Sequence, residues 1–289
     1  MGMMDLHTHT THSDGSTSPT ELVSLAAGNG ARAVAVTDHD TVSGLAEGRQ
    51  AADKAGVEFV NGVEISAEFS PGTMHILGYF INEEACDLQS KLLELKQARE
   101  RRNPEIALKL RRLGFEVSYD EVAALAGNGV VGRPHFARVL VKKGYAASIQ
   151  DAFDRFLAKG APAYEEKLRL SPEQAISLIH RAGGVAVLAH PYQLKLGSME
   201  ETEELVSRLS EIGLDGIEAI YSRHTPEQRR LYSEMARRIG LGTTGGSDFH
   251  GTYKPDIAVV RGTGGLSVPY SLLDDLKKRV VERRDALAT

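Results

Sequence analysis

The chain has 289 residues, 42% of them hydrophobic and 25% charged, which suits one large α/β domain, or one domain carrying an insertion. A formal charge of −5 argues against a general nucleic-acid coat, and no apolar run approaches the roughly 20 residues of a membrane span. The single cysteine, Cys86, cannot form an intramolecular disulfide, and the N-terminus has no apolar signal region, so a cytoplasmic protein is expected.

In chain order, Ser18-Pro19-Thr20-Glu21 sets a capping serine before a proline at the first helical position. Ala33 to Thr37 reads as a strand, a helix is expected from about Gly44 to Ala55, and Glu58 to Ile65 reads as the next strand. Between about 87 and 166 the strand runs stop. Leu88, Leu92 and Leu95, then Ile106, Leu110 and Leu113, predict long amphipathic helices broken at Pro104. Shorter helices are expected over Tyr119 to Ala126, Arg133 to Lys142 and Ser148 to Leu157. Alternation resumes with a helix from Pro172, a strand from Gly184 to Ala189, a helix from about Glu200 to Ile212, a strand from Gly216 to Ile220 and a helix from Pro226 to Ile239. This order predicts βαβ units around a parallel sheet, with 1–86 and 167–289 forming one barrel-like body and 87–166 an α-helical insertion. Eleven basic against five acidic residues between Lys96 and Lys143 leave the rest of the chain near −11. A basic segment beside an acidic body suits a polyanionic ligand, or else is a solvated helical face.

Six histidines and three carboxylates recur where strands hand over to loops. They are His7, His9, Asp14, His39, Glu64, His75, His190, Asp248 and His250. In a parallel α/β barrel such strand ends form one face, so ligands distant in sequence can converge there. His7 and His9, like Asp248 and His250, are two apart, which on a strand points both side chains the same way. Any one of these histidines could be a hydrogen-bonded core residue, but the whole set points to metal. Imidazole and carboxylate donors suit Zn, Mn or Fe, and nine donors exceed the needs of one ion. Two or three such ions imply hydrolysis at phosphorus.

The run Asp5-Leu6-His7-Thr8-His9, Ser13-Asp14-Gly15, Thr37-Asp38-His39-Asp40, Glu64, His75, Ala189-His190-Pro191 and Ser247-Asp248-Phe249-His250 resembles the PHP (polymerase and histidinol phosphatase) family. The resemblance implies a distorted (β/α)7 barrel, a di- or trinuclear metal site and phosphoesterase activity. It assigns His7, His9, Glu64 and Asp248 to one ion and Asp14, His39 and His250 to a second. Glu64, His75 and His190 would hold a third, with Glu64 bridging. Asp14 stands where some members carry histidine, which makes that site richer in oxygen and Mn or Fe as suitable as Zn. Asp38 and Asp40 are expected either to orient imidazole N–H groups or to cap strand ends. His12 is not taken as a ligand, and His180 is taken as structural.

The substrate clues lie in the insertion and the later loops. Arg133 and His135 open a helix beside free backbone N–H groups, a ready phosphate site. Tyr164, Lys167, and Arg223 with His224 add further anion-directed groups. With the metal motifs, these runs resemble the PHP subgroup that removes the 3′-phosphate from nucleoside 3′,5′-bisphosphates, some members being 5′→3′ exonucleases on short 5′-phosphorylated RNA. That resemblance implies that Arg133, His135, Arg223 and His224 hold the 5′-phosphate. His224 and Asp14 are candidates for protonating the leaving oxygen, and Arg223 for neutralising charge. A histidinol-phosphate phosphatase, a proofreading exonuclease module and a non-catalytic metal-binding scaffold are the alternatives. Nothing marks an obligate protein partner.

Overall fold

Seven strands lie in chain order around an almost closed barrel. The computed structural model describes residues 2–127 and 129–288. The first half runs β1 (Met3–Asp5), α1 (Pro19–Gly28), β2 (Ala31–Val36), α2 (Leu45–Ala55), β3 (Glu58–Ala67) and β4 (Met74–Tyr79). Helices α3 (Cys86–Arg112), α4 (Tyr119–Ala126), α5 (Arg133–Lys142) and α6 (Ile149–Ala152) follow, the last continuing as a π-helical turn over Phe153–Leu157. The chain returns through α7 (Pro172–Arg181), β5 (Val185–Leu188), α8 (Met199–Glu211), β6 (Gly216–Tyr221), α9 (Pro226–Ile239), β7 (Gly242–Gly246) and α10 (Ser271–Ala288).

Helix starts follow their capping residues. Ser18 Oγ accepts from the Glu21 N–H at 3.2 Å while the Glu21 carboxylate accepts from the Ser18 N–H at 2.8 Å. The same reciprocal cap opens α7 at Ser171 and α9 at Thr225.

Along each strand, alternate residues face different layers. Val34, Val36, Ile76, Ala186 and Leu188 pack with Leu22, Val23 and Ala52 of the surrounding helices. Ala33, Ala35, Val60, Leu77, Tyr79, Val185 and Val187 form the other layer with Leu273, Leu276 and Val280 of α10. The 86–166 segment contains only helices among its described residues, and Ile106, Leu110, Val122, Phe136, Leu140 and Leu157 give it a core of its own.

Two expectations are corrected. First, the sheet is not all parallel, because β4 pairs antiparallel with both β3 and β5. The run Met74-His75-Ile76-Leu77 forms a hairpin arm behind β3 and was not readable as a βαβ strand. Second, α3 runs unbroken through Pro104. A proline removes one helical hydrogen bond, but buried Leu88, Leu92 and Leu95 before it and Ile106 and Leu110 after it lie on one packed stripe that carries the helix through. Leu113, expected on that stripe, is 43% exposed.

Candidate metal centre

At the barrel mouth β7 closes onto β1 through hydrogen bonds beyond the strand ends. Asp248 N–H donates to His7 O at 2.8 Å and His9 N–H to Phe249 O at 2.9 Å. Gly246 permits this approach, since a Cβ there would lie 2.3 Å from His7 Cβ. Asp40, His190 and Asp248 all have positive φ, at 52°, 27° and 58°. Such strand-end backbone is costly for non-glycine residues and collects at functional sites.

The mouth gathers all nine residues. Glu64 lies at the centre, with Oε1 2.7 Å from His75 Nδ1 and 2.9 Å from His190 Nε2. Its Oε2 is 3.0 Å from His39 Nδ1, 3.2 Å from His9 Nε2 and 3.4 Å from His7 Nε2. Asp248 Oδ1 is 3.3 Å from His9 Nε2, and Asp14 Oδ1 is 3.3 Å from His250 Nε2. His75 reaches this rim although it begins a strand, because an antiparallel strand starts where its parallel neighbours end.

The donor set fits divalent ions. Among the described residues, the buried atoms His7 Nε2, both nitrogens of His9, His39 Nδ1, Glu64 Oε2 and His190 Nδ1 have no partner in hydrogen-bonding geometry. One donor atom from each of the nine residues falls into groups whose members all lie within 4.8 Å of one another: His9, Asp14, His39 and His250; His7, His9 and Asp248; His7, Glu64 and His190; and His39, Glu64 and His75. Burial drives His75 down to about 3 and His250 to about 4, so both offer lone pairs at neutral pH. At His9 burial is outweighed by Asp248 and Glu64, which lift it to about 9; a cation would displace that proton.

Around these donors sits a layer that sequence reasoning missed. Fully buried Glu218 accepts from His7 Nδ1 at 2.9 Å with one oxygen and from His190 N–H at 2.8 Å with the other. This fixes the His7 tautomer with its Nε2 lone pair facing inward. Tyr221 Oη and Lys254 Nζ each donate to Asp248 Oδ2 at 2.7 Å, leaving Oδ1 for the site. A carboxylate inside the apolar run Gly216-Ile217-Glu218-Ala219-Ile220 was the available signal. Asp38 orients no imidazole: it accepts from Thr10 N–H at 2.8 Å and Thr10 Oγ1 at 2.6 Å, bracing the loop that carries Asp14. Asp40 likewise binds Ser66 N–H at 2.9 Å and Lys167 Nζ at 2.9 Å, and pairs with Arg99.

Arg99 leads to a second cluster. Lys167 is pushed well below the usual lysine range by burial and then by Arg99, Arg169, Arg102 and Arg133. Burial lowers Arg99 to about 9 and Arg102 to about 10. Arg99 and Lys167 share Asp40, and Arg169 pairs with Glu166. Among the described residues Arg102 meets only the neutral Asn103 Oδ1, at 2.7 Å, and Arg133 the Leu157 carbonyl, at 3.1 Å, with its guanidinium 5.2 Å from the Tyr164 ring centroid. His135 Nδ1 accepts from Gly132 N–H at 3.0 Å, which leaves the ring proton on Nε2. Arg99 and Arg102 fall on the same helical stripe as Leu95 and Ile106. Arginine on a packing stripe was a readable signal, and it was missed.

The structure does not join Arg223 and His224 to this group. Arg223 is half exposed and paired with Asp256 at 2.7 Å. Burial pulls His224 down to about 4, and its Nδ1–H donates to Ala219 O at 2.9 Å. With its Nδ1–H engaged by Ala219 O, the ring geometry does not support His224 as the acid.

The PHP domain family model matches residues 5–217. The chain belongs to the PHP domain family. It is 37% identical over 246 residues to a 5′-3′ exoribonuclease of Haemophilus influenzae, covering 85% of this chain and 89% of that protein. It is 34% identical over 251 residues to a 3′,5′-nucleoside bisphosphate phosphatase of Chromobacterium violaceum, covering 86% and 88%. A crystal structure described as a putative metal-dependent phosphoesterase from Bifidobacterium adolescentis superposes with a TM-score of 0.85 at 30% identity, covering 96% of each chain. This PHP protein is therefore a hydrolytic phosphoesterase with a metal-dependent type of site. Among the described residues no helix is long and apolar enough to cross a membrane.

Proposed function

We propose that this enzyme hydrolyses the P–O3′ bond one nucleotide away from a 5′-phosphate. A nucleoside 3′,5′-bisphosphate then yields the nucleoside 5′-monophosphate and phosphate, and short 5′-phosphorylated RNA loses its first nucleotide. The observation that carries this reading is the cation group beside the nine-donor site, with Arg99 and Arg102 buried and Arg133 and Lys167 partly buried. Such a charge surplus, with two guanidiniums lacking an acidic partner among the described residues, suits a second phosphate held apart from the one that reacts. The names of the two curated relatives fit both outcomes.

In this reading residues 87–166 are an insertion that completes the pocket of a barrel made from 1–86 and 167–289. Arg102, Arg133 and Lys167, with Arg99, hold the 5′-phosphate. His135 donates its Nε2–H to a phosphate oxygen, and Tyr164 keeps Arg133 flat. Asp40 sets the spacing of Arg99 and Lys167 and keeps the cations from repelling one another apart. Two or three Mn, Fe or Zn ions would be held by His7, His9, Glu64 and Asp248, by Asp14, His39 and His250, and by Glu64, His75 and His190. Bound there, they supply Lewis acidity that activates water and neutralises charge at phosphorus. Glu218, Tyr221 and Lys254 hold His7 and Asp248 in the orientation these roles need.

The direct test is phosphate release by Mn-loaded protein from adenosine 3′,5′-bisphosphate beside 3′-AMP, 5′-AMP and histidinol phosphate. Strong preference for the bisphosphate, with 5′-AMP as product, is expected. Preference for histidinol phosphate, or equal rates throughout, would discard the reading of the cation group.

A further inference from the structure

The contacts that bind the helical segment to the barrel mouth leave part of the rim uncovered. Val130 N–H donates to His12 O after β1, Arg99 pairs with Asp40 after β2, which in turn binds Ser66 N–H on β3, and the Arg138 guanidinium lies 3.4 Å from the Tyr253 ring centroid after β7. In the strand order around the barrel, the remaining arc comprises β4, β5 and β6. The middle of that arc is the loop after β5, where His190 is followed by Pro191 and Tyr192.

Tyr192 is 38% exposed. Among the described residues, the other large hydrophobic side chains with such exposure are all aliphatic: leucine, isoleucine or valine. The ring is supported from behind. Its centroid lies 5.7 Å from that of Tyr221 and 5.6 Å from that of His224, the latter edge-on. The loop is pinned by Gln193 N–H to His190 O and Thr73 N–H to Gln193 O, both at 2.9 Å. One ring deeper, Tyr221 lies 5.5 Å from His190 and bonds Asp248 at 2.7 Å. An exposed, rigidly backed aromatic face thus stands one side chain away from the metal-binding donors, across them from the cation group.

We propose that Tyr192 is a stacking platform for the nucleobase on the 3′ side of the scissile phosphate, so that the enzyme reads short single-stranded RNA on both sides of the reacting bond. This rests on the preceding assignment of the cation group to the 5′-phosphate, which sets the polarity of the strand across the mouth. The base of the first nucleotide belongs between the cations and the metal donors. The next nucleotide, which keeps the phosphate when P–O3′ breaks and water supplies the new oxygen, leaves over β5. Aromatic stacking tolerates every base and needs no hydrogen-bond code.

A bisphosphate has no base beyond its 3′-phosphate, which makes it the internal comparison. With Mn-loaded full-length protein, Tyr192→Ala is expected to lower the ratio of kcat/KM for a 5′-phosphorylated dinucleotide to that for adenosine 3′,5′-bisphosphate by about tenfold or more, mainly through KM. Tyr192→Trp should preserve the ratio. Wild-type protein should show the same loss on a dinucleotide whose second residue is abasic. An unchanged ratio in Tyr192→Ala, equal turnover of the abasic dinucleotide, or a wild type that dephosphorylates the bisphosphate without cleaving the dinucleotide would each overturn the platform. A wild type that spares the bisphosphate yet cleaves the dinucleotide would instead overturn the phosphatase reading, and the Tyr192 effect on dinucleotide KM would still decide the platform.

Discussion

Glu218 shows how one side chain can govern a centre it does not itself complete. Its two oxygens are used up by His7 Nδ1 and the His190 N–H, so it organises two strands' worth of donors at once. Glu218→Gln keeps the shape, but its amide can donate to His7 Nδ1 and allow the ring proton to move to Nε2. We expect about a 10- to 100-fold loss of divalent-metal affinity, read by calorimetric titration, with the far-UV spectrum unchanged. Unchanged affinity would mean that Glu218 only fills the barrel. At this scale the sequence was most legible where chemistry forces rare residues into repeated places. Nine imidazole and carboxylate donors at strand ends suit little besides metal. Glu218, Tyr221 and Lys254 were not read, because each sits alone in a segment that reads as ordinary strand or loop. The resemblance groups Arg223 and His224 at the 5′-phosphate, whereas the structure turns one to Asp256 and the other into an aromatic pocket.

Among the elements, α7, β5 and α10 meet at Asp215. Its Oδ2 accepts from Ala186 N–H at 2.7 Å and His180 Nε2 at 2.9 Å, while Arg283 pairs with Oδ1. Burial alone would raise the Asp215 pKa, but His180, the Ala186 N–H and Arg283 outweigh it and leave it depressed. Asp215→Ala leaves a buried amide and a guanidinium unpaired, and should cost about 3 kcal/mol in urea unfolding at pH 7. Because the folded carboxyl is the more acidic, this contribution is full above its unfolded pKa of about 3.9 and fades as the pH falls through the lower folded value. A cost that persists below both values would point to packing instead of charge. The elements themselves were largely readable from periodicity and caps. What failed was context: β4 is as long as β2 and β6, but it follows β3 without the crossover helix from which the other strands were placed. Pro104, a breaker by local rules, is overridden by the leucines on either side of it.

For the whole molecule, the helical segment 86–166 places cations beside a mouth of carboxylates and imidazoles that the barrel alone provides. Its net positive charge was visible in the sequence. That Arg99 and Arg102 face inward was legible only through their helical phase relative to Leu95 and Ile106, because charged residues on a long helix usually face solvent. The central claim is that this buried charge selects substrates carrying a second phosphate. The most direct measurement is the ratio of kcat/KM for adenosine 3′,5′-bisphosphate to that for 3′-AMP, in wild type and in Arg102→Ala. A charge-assisted contact to phosphate is worth about 1.5–3 kcal/mol, so the ratio should fall about 10- to 150-fold while 3′-AMP turnover changes little. Equal losses on the two substrates, or an unchanged ratio, would contradict the account.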